Sequence, residues 1–96
     1  MDVTAIVALV KERLGIKTNV RDTYLTAIVN GIVTELEDEK GVVLDETNLY
    51  HLLFCVDYAC WRYQSKDSDK AMPRDIQYRL HNLIIHSSRS IEVETP

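Results

Sequence analysis

The sequence predicts a small all-α fold of four helices, with helix 3 central and an extended C-terminal tail. Apolar residues recur at helical spacing in four segments, and residues that cap or break helices lie between them. Strand-like patterns are limited to the short runs "GVVL" and "IEV". The 96 residues allow one domain, assigned to residues 1–88, with residues 89–96 as a flexible tail. Because so short a chain buries a small fraction of its surface, we expect it to associate with other subunits.

The first two helices are predicted at residues 3–14 and 20–39. Asp2 can cap the first helix, and Thr18 or Asn19 can cap the second. A glycine follows each helix closely and can end it in the left-handed conformation. The residues predicted to face the core are Val3, Ile6, Val7, Val10 and Leu14 in helix 1 and Leu25, Ile28, Val29, Ile32 and Leu36 in helix 2.

Helix 3 is predicted from a cap region at residues 46–48 to about Ser65, and it carries two neighbouring apolar stripes. A helix that is apolar over most of its circumference must pack on more than one side, so we place helix 3 at the centre. Helix 4 is predicted to begin at Pro73 and to end near His86. The stripes of helix 3 are Leu49, Leu52, Leu53, Val56, Cys60 and Tyr63, and Tyr50, Phe54, Tyr58 and Trp61; that of helix 4 is Ile76, Leu80, Leu83 and Ile84.

The tail after helix 4 alternates apolar and acidic residues at Ile91 and Val93. Such alternation has the period of a β-strand but is too short to stay ordered alone. We expect the tail to be mobile in the free protein and to add as a strand to an exposed sheet edge of a partner. A merely disordered terminus is the alternative.

The amino-acid composition and the charge limit the classes of function that this protein can have. The chain is 46% apolar and 27% charged, as in ordinary soluble domains, and its net charge of −4 comes without any basic run. This argues against nucleic acid as the primary ligand. Charges interrupt the apolar N-terminal stretch before it reaches membrane-spanning length, so we expect a cytosolic protein. Cys55 and Cys60 lie about 140° apart around a helix and are interpreted as two buried thiols.

Enzyme signatures are absent from the sequence. It has no Gly-rich phosphate loop and no CxxC, HExxH or GxSxG motif, so we predict no catalytic residues and no cofactor. His51 and Cys55 share a helix face at metal-ligand spacing, but two ligands alone do not make a structural zinc site.

Helix 4 carries one candidate interaction surface. Asp75 and Arg79 are four residues apart and of opposite charge, which predicts an ion pair on the helix surface. Arg79 also shares a polar stripe with Asn82 and His86, and such a stripe could meet a partner. The sequence leaves both interpretations open.

The run "ELEDEK" places Glu35, Glu37, Asp38 and Glu39 in the last turns of helix 2. Carboxylates at a helix C-terminus oppose the macrodipole. The run is interpreted as a solvated acidic rim, or as a face directed toward a basic partner or a DNA channel.

Aromatic residues on helix 3 form another candidate interface. Tyr58, Trp61 and Arg62 are residue types enriched at the centres of protein interfaces. Core packing is an equally good interpretation of Trp61.

The order of these parts resembles the head-tail connector proteins of long-tailed bacteriophages, also called adaptor or head completion proteins. The residues that carry the resemblance are "VKERLGI", "RDTYLTAIVNGIVTELEDEKG" and "LLFCVDYACWRYQSKDSDKAMPRDIQYRLHNLIIH", and it covers roughly residues 3–88. The pair "DYACWRY" and "MPRDIQYRLHNLIIH" looks like the last two helices of such connectors in phages of Gram-positive hosts.

The resemblance implies a non-enzymatic virion assembly protein, made in the bacterial cytoplasm. It implies a ring, usually dodecameric, beneath the portal protein, which extends the DNA channel and docks a stopper or the next connector. DNA would pass through without sequence-specific binding.

Two other functions are left open. One is a small helical regulator of a host protein or nucleic acid, for which Arg74, Arg79 and Arg89 would be the basic residues. The other is a small metal-dependent hydrolase subunit that uses His51, Cys55 and an acidic residue from elsewhere in the chain.

Overall fold

Four α-helices build the protein, as the sequence predicts. In a computed structural model, residues 1–65 and 71–94 are described, with side chains as far as Ser87. The helices are α1 (Val3–Leu14), α2 (Asp22–Thr34), α3 (Leu49–Gln64) and α4 (Arg74–Glu94), and a π-helical segment (Glu35–Glu39) continues α2. No β-strand occurs within the described ranges, and "GVVL" belongs to the connection between α2 and α3. The all-α fold class is therefore confirmed.

Side-chain caps define where α1 and α3 begin. Asp2 Oδ1 accepts a hydrogen bond from the Ala5 backbone N–H over 3.2 Å. Asn48 Oδ1 accepts from the N–H groups of Tyr50 (2.9 Å) and His51 (3.3 Å). Each cap satisfies N–H groups that have no partner within the helix, which explains why the predicted starts are correct.

The start of α2 differs from the prediction because the expected cap is used elsewhere. Asn19 Oδ1 accepts from Lys11 Nζ over 3.0 Å, so this side chain joins the connection to α1. Helix α2 begins two residues later than predicted, after Arg21, which makes no side-chain cap. A tertiary contact therefore outweighs the local capping preference of asparagine.

The core is centred on α3, which packs against α1, α2 and α4. Among the helix contacts that the structure describes, those of α4 are with α3 only. This arrangement confirms the central position of helix 3 and follows from its broad apolar surface. The largest fully buried side chains are Tyr58, Phe54, Ile6, Leu25, Ile32 and Leu36.

The residues of the two apolar stripes of α3 differ in how deeply they are buried. Phe54 and Tyr58 of the second stripe are fully buried, whereas Leu49 and Leu53 of the first are 65% and 47% exposed. Leu49 and Leu53 are neighbours on the helix surface, one turn apart. Both face solvent because no other helix covers the N-terminal end of α3 on that side.

Helix α4 extends to Glu94, so its predicted end near His86 is wrong. No glycine or proline occurs between His86 and Glu94 to stop the helix, and the next proline is Pro96. The backbone at Ile91 and Val93 is helical, so this segment is not an extended tail in the single chain. The predicted addition of Ile91 and Val93 as a strand to a partner stays a prediction. The side chains of these two residues, and residues 95–96, lie outside the described part of the chain.

Candidate interaction surface

Glu35 belongs to an internal network and not to a solvated rim. Its Oε2 accepts hydrogen bonds from the Tyr58 hydroxyl (2.8 Å) and from an Arg62 guanidinium nitrogen (3.2 Å). The same Arg62 nitrogen donates to the Tyr58 hydroxyl over 2.9 Å. The π-helical segment brings the Glu35 carboxylate over α3, and the three side chains tie α2 to α3.

Tyr58 is only 1% exposed, so it does not lie at the surface as predicted. Burial, together with its hydrogen bond to Glu35, raises the pKa of Tyr58 to about 12. Its ring packs against Phe54 and Trp61, with centroids 5.7 Å and 5.9 Å away. The Arg62 guanidinium lies over the ring of Tyr58, 5.0 Å from its centroid. Trp61 is half-buried in this cluster, so both interpretations of Trp61 stay open.

Arg79 forms ion pairs within the domain. One guanidinium nitrogen lies 2.7 Å from Asp57 Oδ2 and 2.9 Å from Asp75 Oδ2. Arg13 pairs with the other oxygen of Asp57. The guanidinium also lies over the Phe54 ring, 5.5 Å from its centroid. The predicted pair of Asp75 and Arg79 is confirmed, and through Asp57 it extends to α1 and α3.

The other members of the polar stripe on α4 lie apart from Arg79. Asn82 and His86 line an open groove of about 540 Å³ between α4 and the connection before α3. The opposite side of the groove carries Val43, Asp45 and His51. The stripe therefore divides into an ion-pairing residue and two groove-lining residues.

Asp45 and His51, on one side of this groove, are both engaged in hydrogen bonds. His51 Nδ1 accepts from the Asp45 backbone N–H over 3.0 Å, which leaves the proton of the neutral ring on Nε2. Asp45 Oδ1 accepts from the Thr47 N–H (2.9 Å) and hydroxyl (2.7 Å). These hydrogen bonds lower the pKa of Asp45. They hold the connection against the first turn of α3.

The His51 and Cys55 pair has the wrong environment for a metal site. His51 uses one ring nitrogen in the contact with Asp45, and Cys55 is buried. Burial raises the pKa of the Cys55 thiol to about 11, which disfavours the thiolate that a metal would need. Within the described ranges, no group of three or more His, Cys, Asp or Glu side chains could hold an ion. Cys60 is also buried and its pKa is raised, so the prediction of two buried thiols is confirmed.

Three of the four acidic residues do face solvent. Glu37, Asp38 and Glu39 are exposed, as predicted, and Glu35 is not. Glu35 differs in exposure from the other three acids because it lies on the side of the π-helical segment that faces α3.

Exposed apolar residues at the start of α3 form a surface that sequence reasoning missed. Leu49, Tyr50 and Leu53, hereafter the α3 patch, are each 47% to 65% exposed. Their spacing places them side by side on the helix surface. The apolar pattern indicated only that these residues could be buried, and no residue type distinguished them from core positions.

No described helix is long and apolar enough to cross a membrane. No family model, curated protein or solved structure matches this chain.

Proposed function

We propose that this chain is a virion assembly protein, a head-tail adaptor that binds beneath a phage portal protein, extends the DNA channel and docks the next connector. The sequence resemblance over residues 3–88 supports the proposal, and so does the all-α fold with a central third helix. The chain acts as a structural component and not as an enzyme.

The observation that carries the proposal is the α3 patch. Exposed large apolar residues that are contiguous indicate a protein interaction site more often than isolated ones do. Leu49, Tyr50 and Leu53 lie on a helix whose other side is anchored in the core, so they form a rigid surface. We assign this patch to the contact with the portal or the next connector.

The state of Arg79 weakens the alternative of a nucleic-acid-binding regulator. A recognition helix needs cations that are free to contact phosphates or bases. Arg79 is paired with Asp57 and Asp75, so the central cation of α4 is already neutralised within the domain.

A binding experiment with the portal protein encoded in the same genome tests the proposal. Sedimentation of the free protein is expected to show weak self-association, and addition of portal is expected to yield a stable complex with several adaptor copies. The double variant L49S/L53S should lose portal binding. Tyr78→Ser is the matched control, because Tyr78 is an exposed apolar residue on α4 at 68% exposure.

The binding experiment has results that support the proposal and results that contradict it. Retained folding with lost portal binding in L49S/L53S, and retained binding in Tyr78→Ser, would support the assignment. A wild-type protein that does not bind portal, or a double variant that binds as tightly as the wild type, would contradict it.

A further inference from the structure

Helix α2 and its π-helical continuation carry unfavourable charges at both ends. The sign of the charge at each end is the one that the helix dipole disfavours. Lys17 and Arg21 lie just before α2, and Glu37, Asp38 and Glu39 end the π-helical segment. A helix N-terminus favours anions and its C-terminus favours cations, so each misplaced charge costs a few tenths of a kcal/mol. The two ends are about 25 Å apart at about 1.5 Å per residue.

The first of these ends, the basic pole, consists of Lys17, Val20 and Arg21. Val20 is 87% exposed, more than any other large apolar residue in the described ranges. Arg21 donates to the Tyr63 hydroxyl and lies over the Tyr63 ring, 5.8 Å from its centroid, which orients the guanidinium. Neither Lys17 nor Arg21 pairs with a carboxylate among the residues that the structure describes.

Nearby charges do not cancel the basic pole. Asp22, at the start of α2, pairs with Lys11 at 2.7 Å. Glu12 is exposed in the last turn of α1 and offsets only one of the two cations of the basic pole, because its neighbour Arg13 pairs with Asp57. Cations are therefore in excess at this end of the domain.

The other end, the acidic pole, consists of Glu37, Asp38 and Glu39, and Val43 follows four residues later at the edge of the groove beside α4. All four side chains are exposed, and Val43 is 58% exposed. The three carboxylates have no cationic partner among the described residues, and Lys40 is the neighbouring cation. Like the basic pole, the acidic pole therefore carries exposed charge that is not paired within the described part of the domain.

We propose that the basic pole of one copy of this chain binds the acidic pole of a second copy. The contact would pair Lys17 and Arg21 with Glu37 and Glu39, and it would remove the exposed Val20 side chain from water. It would also offset the unfavourable charge at both helix ends at once.

The positions of the poles determine the kind of assembly. They lie at opposite ends of one helix, so a contact between them is heterologous and leaves one free pole on each copy. Such contacts generate a closed ring or an open chain and not a two-fold dimer. The inference deepens the proposed function, because it names the subunit contact that a ring beneath the portal requires.

A charge-swap experiment without portal tests the inference. The variant K17E/R21E carries acidic residues at both poles, and E37K/E39K carries basic residues at both. Each alone should self-associate roughly tenfold more weakly than the wild type, a change equivalent to about 1.4 kcal/mol. An equimolar mixture of the two should regain association, because opposite poles then meet.

Sedimentation velocity at low and high salt provides the measurement. Wild-type association should weaken with salt, since exposed charges are screened. Arg74→Glu is the matched control, because Arg74 is an exposed cation of α4 that belongs to neither pole, and this variant should associate as the wild type does. Urea unfolding of every variant verifies that the helices are intact.

Three results would overturn the inference. They are a wild type that stays monomeric at its highest soluble concentration and low salt, a single charge-swap variant that associates normally, and a mixture that does not regain association. Because portal is absent, these results are independent of whether the α3 patch binds portal.

Discussion

The Tyr58 hydroxyl donates a hydrogen bond to Glu35 Oε2 over 2.8 Å, and this contact joins the end of α2 to the middle of α3. Tyr58 is fully buried, and the Glu35 side chain is 23% exposed. The contact therefore gives the acidic run two distinct parts. Glu35 stabilises the fold, and the three acids after it remain available to a partner.

Reversal of charge at Glu35 should destabilise the protein. Glu35→Lys removes an acceptor from Tyr58 and places a cation beside Arg62, so we expect a loss of about 2 kcal/mol in the free energy of unfolding. Glu37→Lys is the control and should change it by less than about 0.5 kcal/mol, because Glu37 is exposed. Urea titration followed by circular dichroism measures both. Equal stability of the two variants would refute the distinction.

Removal of the Asp57 charge should loosen three helices at once. Asp57→Asn weakens the ion pairs with Arg13 and Arg79, whose cations then lack their shared partner, and we expect a loss of about 1–2 kcal/mol. Asp75→Asn is the control, with an expected change below about 0.5 kcal/mol, because the Asp75 side chain is 76% exposed. Urea midpoints compare the two. A larger effect at Asp75 would contradict the assignment of Asp57 as the central anion.

Stability should fall at alkaline pH. The pKa of Cys55 is raised from 9.0 to about 11, and that of Tyr58 from 10.0 to about 12. In both groups the folded state favours the protonated form, so the stabilisation is complete below the ordinary pKa and is lost as pH rises through the folded value. Urea midpoints measured from pH 8 upward should therefore fall above about pH 9.

Replacement of Cys55 checks the origin of this pH dependence. Cys55→Ala should be less stable at neutral pH because it leaves a cavity, but its stability should fall less steeply between about pH 9 and 11. An unchanged slope would assign the alkaline loss to other groups.

Both thiols should react slowly in the native protein. Cys55 and Cys60 are buried, and burial raises the pKa of each, so little thiolate is accessible at neutral pH. A chromogenic disulfide reagent should label them slowly in buffer and rapidly in urea. Fast labelling of one thiol per chain in buffer would show that the core around α3 is open.

Deletion of residues 89–96 should shorten α4 without unfolding the domain. Ile76 and Leu83, the buried apolar residues that the structure describes in α4, both precede Ser88, and the deletion retains them. Circular dichroism should show a smaller helical signal and a nearly unchanged Tm. A large fall in Tm would indicate that the last turns of α4 are part of the core.

Local sequence signals determined much of this fold. Helical apolar spacing predicted four helices, Asp2 and the cap region at residues 46–48 marked two helix starts, and the broad apolar surface placed α3 at the centre. These features depend on residues within a few positions of one another, so they can be inferred without knowing the partners. The ion pair of Asp75 and Arg79 is of the same local kind.

Only the tertiary structure determined which side chains are buried, which are exposed and which pair with a distant residue. Tyr58 and Leu53 are both apolar-stripe residues of α3, yet the first is buried against Glu35 and the second faces solvent. Asn19 binds Lys11 and does not cap α2, and Arg79 reaches Asp57 on another helix. Each of these outcomes depends on which distant residue lies opposite once the helices pack. Periodicity shows that a position can be buried, and only the packed neighbours determine whether it is.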